Sequence, residues 1–363
     1  MIKPIYIHGM AGISIQPTTE PGYFFDSILP YTQNPVPACD PDYKALIPAL
    51  QLRRMNKSMR MAIFTSQLAL QDAGRTTVDA VITGSGLGCL RDSERFVEAL
   101  LADEGQSMNP TPFIQSTHNM AAAAIALALK CKGYNMTYVN NANSFESALL
   151  DGMLYLGEHP EATILLGGVD ELGERTTTFW DMAGYLKRDA PAIPTSLTDP
   201  TPGEIVAEGA TFFVASRQPG PSPIGKVTAV ETRLETDDHT AFVGNFLQKN
   251  GLDADAIDAV LLGYNGDARY DGIYQEVTQA LFTGIPVVGF KHVLGDYDTV
   301  IAAALALGLQ MLREQRIPSA LQLSGPQPQR LTRLLVYTQR RGGNHGLMLV
   351  ERYHQRSDNR QVV

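Results

Sequence analysis

The chain has 363 residues, of which 44 % are hydrophobic and 18 % charged, and carries a net charge of −9. That is the make-up of a globular protein, long enough for one large or two medium domains around a buried core; its acidity argues against nucleic acid as a partner, because phosphate binding needs a basic face. Cys39, Cys89 and Cys131 are too few and too scattered for a disulfide framework or a zinc site.

In chain order, the N-terminal IKPIYIHGMAGISI lacks a charged region ahead of a continuous apolar run, so no secretory signal is expected. The helical stretch LRRMNKSMRMAIFTSQLALQDAG follows, then the strand VDAVITG, a glycine-rich turn and a helix around Phe96 to Leu101. Gly84, Gly86 and Gly88 of that turn alternate and do not fit G-x-G-x-x-G, so no dinucleotide cofactor is expected there. The Ala-rich MAAAAIALAL leads to the strand MTYVNNA, a helix from Ser144 to Leu156 and the strand ATILLGG. SRQPGPSPIG, rich in Pro and Gly, is the best junction and divides the chain into 1–218 and 219–363. Beyond it come AIDAVLLGY, a helix from Gly272 to Phe282, IPVVGF, a helix from Asp298 to Leu312, then LLVYTQ and GLMLVER. Strands alternating with helices predict an α/β fold of mainly parallel sheet, covered by helices on both faces. The longest apolar runs, MAAAAIALAL and VIAAALALGL, fall short of the roughly 20 residues that span a bilayer. A cytoplasmic protein without a membrane partner is the expectation.

The most informative segment is NMTYVNNANSFESALLDGMLYL, where an extended run turns abruptly into an amphipathic helix at Asn143. Around it stand, in order, the turn GSGLG, the segment TPFIQSTHNMAAAAIALALKCKGYNMTYV, the signature Gly203, Glu208, Gly209 and Ala210, the pair Lys291 and Gly295, and the glycine-rich RRGGNHGLMLVER. This ordered series resembles the β-ketoacyl synthases, members of the thiolase-like fold, over nearly the whole chain. The resemblance implies two similar βαβ-rich halves in a five-layered αβαβα core. It also implies where the family's chemistry would lie. A ketosynthase holds the acyl chain on a cysteine at a helix N-terminus, and two histidines stabilise the enolate and thioester oxygens. On this sequence those three positions fall on Asn143, Asn265 and Asp296. Lys291 and Glu208 keep the family's residue types in the pocket, and the position of the gating phenylalanine falls on Arg341.

An amide cannot become a covalent acyl carrier, and an ionised aspartate cannot stabilise an oxyanion. The family's condensation is therefore not expected from this chain alone. What the resemblance implies is a non-catalytic subunit, similar to the chain-length factors of type II polyketide synthases and to ketosynthase-like proteins of aryl-polyene and flexirubin-type pathways. Such a subunit pairs with an active ketosynthase and shapes the acyl cavity. MTYVNNA would form the dimer strand, with Phe113, Gln115, His118, Met120 and Tyr138 at the cavity and interface, and the partner would be an active ketosynthase or a second copy of the chain. An acyl carrier protein, being acidic, is a further implied partner. Arg53, Arg54, Lys57 and Arg60 would supply a basic patch for it, although a solvated helix face reads the same. The alternative is an enzyme with altered chemistry in the old pocket: an acyltransferase, a thioesterase-like hydrolase or a malonyl decarboxylase.

Residue types alone allow plainer readings. Asn143 is a good helix cap, with Glu146 three residues on to complete a box. Ser144 as a replacement nucleophile would need a general base, and the two positions that might supply one are Asn265 and Asp296. Glu208 and Lys291 read as a buried ion pair, since removing one would strand the other. His118 and His292 read as structural, and His8, His159, His239, His345 and His354 lack ligand spacing, so no metal is expected. Cys131, at the C-terminal end of the Ala-rich helix, reads as packing.

Overall fold

The computed structural model of the protein describes residues 3–102, 109–188 and 195–353, and His354 lies outside them. The first set of elements is β1 (Ile5–Ile13), α1 (Ala49–Leu52), α2 (Lys57–Asp72), β2 (Ala80–Gly84), α3 (Leu90–Ala102), α4 (Pro110–Gln115), α5 (Met120–Leu129), β3 (Tyr134–Tyr138), α6 (Ser144–Glu158), β4 (Thr163–Asp170), α7 (Glu174–Met182), α8 (Thr195–Thr198) and β5 (Gly209–Ser216). The second is β6 (Gly225–Arg233), α9 (His239–Lys249), β7 (Ala259–Leu262), α10 (Gly272–Leu281), β8 (Val287–Gly289), α11 (Lys291–Leu294), α12 (Val300–Glu314), β9 (Gln322–Ser324), β10 (Arg333–Arg340) and β11 (Gly343–Glu351).

These strands join one sheet in the order β3-β2-β4-β5-β1-β6-β11-β10-β7-β8-β9. The order contains its own repeat. β3-β2-β4-β5-β1 is mirrored by β8-β7-β10-β11-β6, with β9 added at the far edge. β2 runs parallel to β3 and β4, as β7 does to β8 and β10. β5 runs antiparallel to β4 and β1, as β11 does to β10 and β6. The two sets meet where Ile5, Tyr6 and Ile7 pair antiparallel with Val227, Lys226 and Gly225. Topology thus preserves a duplication that side-chain identity no longer carries.

Alternation along the strands, in which successive side chains face opposite ways, builds the layers. In β2, Ala80 and Ile82 face a central core while Val81 faces an outer one; in β5, Phe213 and Ala215 face the centre and Phe212 and Val214 the outside. β10 does the same, with Leu334 and Val336 turned inward and Leu335 and Tyr337 outward. The central core is filled by α6 and α12, which pack on strands of both sets. α2 and α5 cover the first strands, and α9 and α10 cover the second. The result is the five-layered αβαβα arrangement of a thiolase-like fold. α12 begins at Val300 rather than at Asp298, because Thr299 spends its N–H and Oγ on Asp170 Oδ2, at 2.8 and 2.7 Å. No helix among the described residues is long and apolar enough to cross a membrane.

Candidate functional site

β3 ends at Tyr138 and the chain reverses through Asn140 and Asn141 into α6. Asn141 takes φ +47°, a left-handed conformation that asparagine tolerates better than most side chains. Ser144 braces the turn: its Oγ accepts from the Asn140 N–H at 2.9 Å and donates to the Asn141 carbonyl at 2.6 Å. Its hydroxyl is fully buried and committed to the turn. Asn143 stands at the α6 N-terminus as expected, but its side chain does not cap the helix. Instead Nδ2 donates to the carbonyls of Asn344 and His345, both at 3.2 Å, and to Glu146 Oε1 at 3.3 Å. The cause is the β10–β11 turn, which brings two carbonyls into a buried place where they need a donor.

Glu146 was legible only as a capping partner, yet it is fully buried in the site. Burial pushes its carboxyl up to about 8, with Asn143 and the charge of Lys291 offsetting only part of that rise. Gly346 makes room for it, since a Cβ there would lie 1.9 Å from Glu146 Oε1. Its other oxygen has no hydrogen-bond partner among the described residues.

The short helix α11 and the loops around it supply the rest. Lys291 Nζ lies 3.0 Å from both carboxylate oxygens of Asp296 and donates to the Gln339 carbonyl at 2.9 Å. Asn265 Nδ2 donates to Asp296 Oδ2 at 3.3 Å, and its Oδ1 accepts from the Asp267 N–H at 2.9 Å. Below them, Asp271 accepts the Gly266 N–H at 2.7 Å, and burial pushes its carboxyl up to about 7. Asp296 is therefore in direct contact with both Lys291 and Asn265, while Asn143 bonds to Glu146, whose carboxyl feels the charge of Lys291. The arrangement is a buried set of hydrogen bonds that leaves Glu146 Oε2 over among the described residues. Asn143 Nδ2, Asn265 Nδ2 and Lys291 Nζ are each aimed at protein acceptors.

One expected pairing differs. Glu208 does not pair with Lys291; it is buried against Lys57 Nζ at 2.5 Å and Arg91 at 3.4 Å, and accepts the N–H groups of Ala38 and Leu172 at 3.1 and 2.9 Å. Lys291 takes Asp296 instead, because the Asp296 backbone is fixed beside Val206 and Ala207 while the Glu208 side chain turns toward α2 and α3. Lys57 thereby leaves the expected basic patch, being turned inward to Glu208 and to Asp40 at 3.1 Å. His292 is buried, which pushes its imidazole down to about 4. Phe113 and His118 are exposed, Gln115, Met120 and Tyr138 half-buried; His118 rests against Gly88, and Gln115 Nε2 donates to the Arg54 carbonyl at 2.9 Å. Among the described residues no cluster of three or more His, Cys, Asp or Glu could hold a metal.

Outside the buried network lies a polar pocket of about 590 Å³, lined by Asn141, Trp180, Asp298, Arg340, Arg341 and Asn344 among others. Arg340 pairs with Asp298 and, at 3.4 Å, with Glu204; Arg341 pairs with Glu204 and lies 3.8 Å over the Tyr185 ring. Asp298 Oδ2 presses so close to Gly86 that a Cβ there would lie 1.8 Å away, and Asp170 behind it is pushed up to about 7 by burial and by the Asp298 charge. Asp170, Glu204, Asp298 and Arg340 were not singled out from the sequence. The available signal was the pair of charges in TQRRGG together with the acid between Tyr297 and Thr299, just ahead of an apolar helix.

Residues 30–180 match the family model described as the β-ketoacyl synthase N-terminal domain. Among solved structures, the chain is similar to a β-ketoacyl synthase from Burkholderia phymatum, with 17 % identity and a TM-score of 0.77 over 97 % of this chain and 100 % of that one. It is similar to the ishigamide ketosynthase/chain length factor, with 17 % identity and a TM-score of 0.78 over 98 % and 100 %. A ketosynthase in complex with its chain length factor from Xenorhabdus doucetiae aligns at 16 % identity and a TM-score of 0.74, over 97 % and 98 %. No curated protein matches by sequence. The chain thus has the thiolase-like fold of these solved ketosynthase structures, and its residues 30–180 match the β-ketoacyl synthase N-terminal domain.

Proposed function

We propose that this chain is a non-catalytic, chain-length-factor-like subunit, built of halves 1–218 and 219–363, that pairs with an active ketosynthase and helps to shape the acyl cavity between them. The observation that carries the reading is the Asn143–Glu146 pair and the Lys291–Asp296–Asn265 cluster: at the positions where the resemblance puts the nucleophile and the oxyanion donors stand groups that bond to one another. Ser144 offers no replacement nucleophile, because its hydroxyl donates to the Asn141 carbonyl and has no base beside it. The altered-chemistry alternative needs a free donor for a developing enolate, and Asn265 already gives its amide to Asp296.

The pairing part rests on the edge strand β3. Among the described residues no strand pairs with its outer side, and Met136, Val139, Leu150 and Leu154 around it are 39, 50, 38 and 49 % exposed. A bare apolar edge is a template for another chain. The two solved structures named for a ketosynthase and a chain length factor favour an active ketosynthase as that chain. The test is to incubate the isolated protein with acyl and malonyl thioesters, then to co-express it with a candidate ketosynthase. No acyl adduct and co-elution as a stable pair are expected. A stoichiometric acyl group on Ser144 or a cysteine, or condensation by the isolated chain, overturns the reading.

A further inference from the structure

We propose that the turn between β10 and β11 is a locked partition that shuts the outer polar pocket off from the Asn143–Lys291 network, so that a thioester-borne chain meets a blind recess rather than a passage. The inference rests on the subunit reading and deepens it. Both faces of the turn carry it. On the inner face, the Gln339 carbonyl accepts from Lys291 at 2.9 Å, and the carbonyls of Asn344 and His345 accept from Asn143 at 3.2 Å. On the outer face, Arg340, Arg341, Gly342, Gly343 and Asn344 line the pocket. Asn344 belongs to both faces, lining the pocket while its carbonyl accepts from Asn143.

What holds the partition is a clamp drawn from both sets of elements. Glu204, just ahead of β5, takes Arg340 and Arg341, while Asp298, just ahead of α12, takes Arg340. Trp180 and Tyr185 cover the guanidinium of Arg341 from the α7 side, at 5.5 and 3.8 Å. The turn is also tied to its surroundings, with the Gly342 N–H donating to Gln339 Oε1 and the Asn344 N–H to the Leu234 carbonyl, both at 2.8 Å. To swing aside it would have to break several charge-assisted contacts at once. It would also strand Glu204 and Asp298, both buried, without their cations. Moving an alkyl chain past this point means burying it against ion pairs, which returns none of the apolar contact that draws such a chain inward.

The variant Asn143→Cys puts a thiol behind the partition, and its alkylation by iodoacetamide and by N-octylmaleimide can be followed at position 143 by peptide mass spectrometry on the full-length protein. With Arg341 in place, that thiol is expected to react far more slowly than in the urea-unfolded chain. Adding Arg341→Ala is expected to speed it by about tenfold, the effect of losing one charge-assisted hydrogen bond from a local opening. A fast reaction with Arg341 present, or no change on its removal, overturns the proposal. Should Asn143→Cys fail to fold, hydrogen exchange of residues 340–344 in the native chain and in Arg341→Ala gives the same answer: slow exchange that quickens with the substitution is expected, and fast exchange in the native chain sinks it. Stable pairing with a ketosynthase alongside free access to position 143 would remove the partition alone, whereas an acyl adduct on the native chain would remove the subunit reading.

Discussion

Lys291 is nearly inaccessible to water, and its ammonium is satisfied by Asp296 and by one backbone carbonyl. Removing it leaves a carboxylate buried without a cation, so Lys291→Ala is expected to destabilise the fold by about 3–5 kcal/mol in chemical denaturation. Replacing both partners by apolar side chains, Lys291→Met with Asp296→Leu, removes the stranded charge and is expected to recover most of that loss. Equal damage from the single and double variants would mean that the pair is not a unit. At this scale the sequence pointed to Asn143, Asn265 and Asp296 as the positions to compare with the family's catalytic groups, because they stand in motifs whose order is readable. It did not identify their partners. Whether an amide caps its own helix or reaches a carbonyl some 200 positions on, as Asn143 does, depends on where tertiary structure brings the acceptor. The same holds for Glu208, whose partners Lys57 and Arg91 come from two other helices.

β3 carries the case for a partner, and its exposed apolar residues can be altered without touching the core. Met136→Asp is expected to leave the stability of the isolated chain within about 0.5 kcal/mol, as surface changes usually do, while abolishing co-elution with a ketosynthase. Co-elution that survives Met136→Asp would move the interface away from this strand. Element type and order were readable because strand and helix differ in the period of their apolar residues, as in β2 against α6. The start of α12 was not, because Thr299 gives its amide and hydroxyl to Asp170, a residue with no sign in the local pattern. The internal repeat was implied by the resemblance but not visible in the residues themselves, because each strand requires only apolar residues on two faces, so β2 and β7 keep equivalent places in the sheet without keeping identities.

Across the molecule, four buried carboxyls share one electrostatic fate. Burial pushes Glu146 up to about 8 and Asp170, Glu171 and Asp271 up to about 7. The folded chain thus keeps protons that the unfolded chain releases, so their contribution is full below the ordinary carboxylate range and is lost as pH rises through 7 to 8. His292 and His345, held down to about 4 by burial, act in the opposite sense, and their contribution is lost as pH falls from 6.5 toward 4. Because four carboxyls outweigh two imidazoles between the ordinary carboxylate range and pH 6.5, thermal stability is expected to fall as pH rises through that range and to be lower at pH 8.5 than at 6.5. Glu146→Gln should shrink that difference in a melting series, and a melting temperature that rises steadily to pH 8.5 would contradict the account. The junction of the two strand sets has a consequence for synthesis. β1 lies between β5 and β6, whose first residues, Gly209 and Gly225, follow it by some two hundred positions. At roughly 5–20 residues per second, both partners leave the ribosome about 10–40 s after β1 does. For that interval IYIHGMAGI is a bare strand with both edges open, and a chain interrupted after residue 218 would keep one of them open for good.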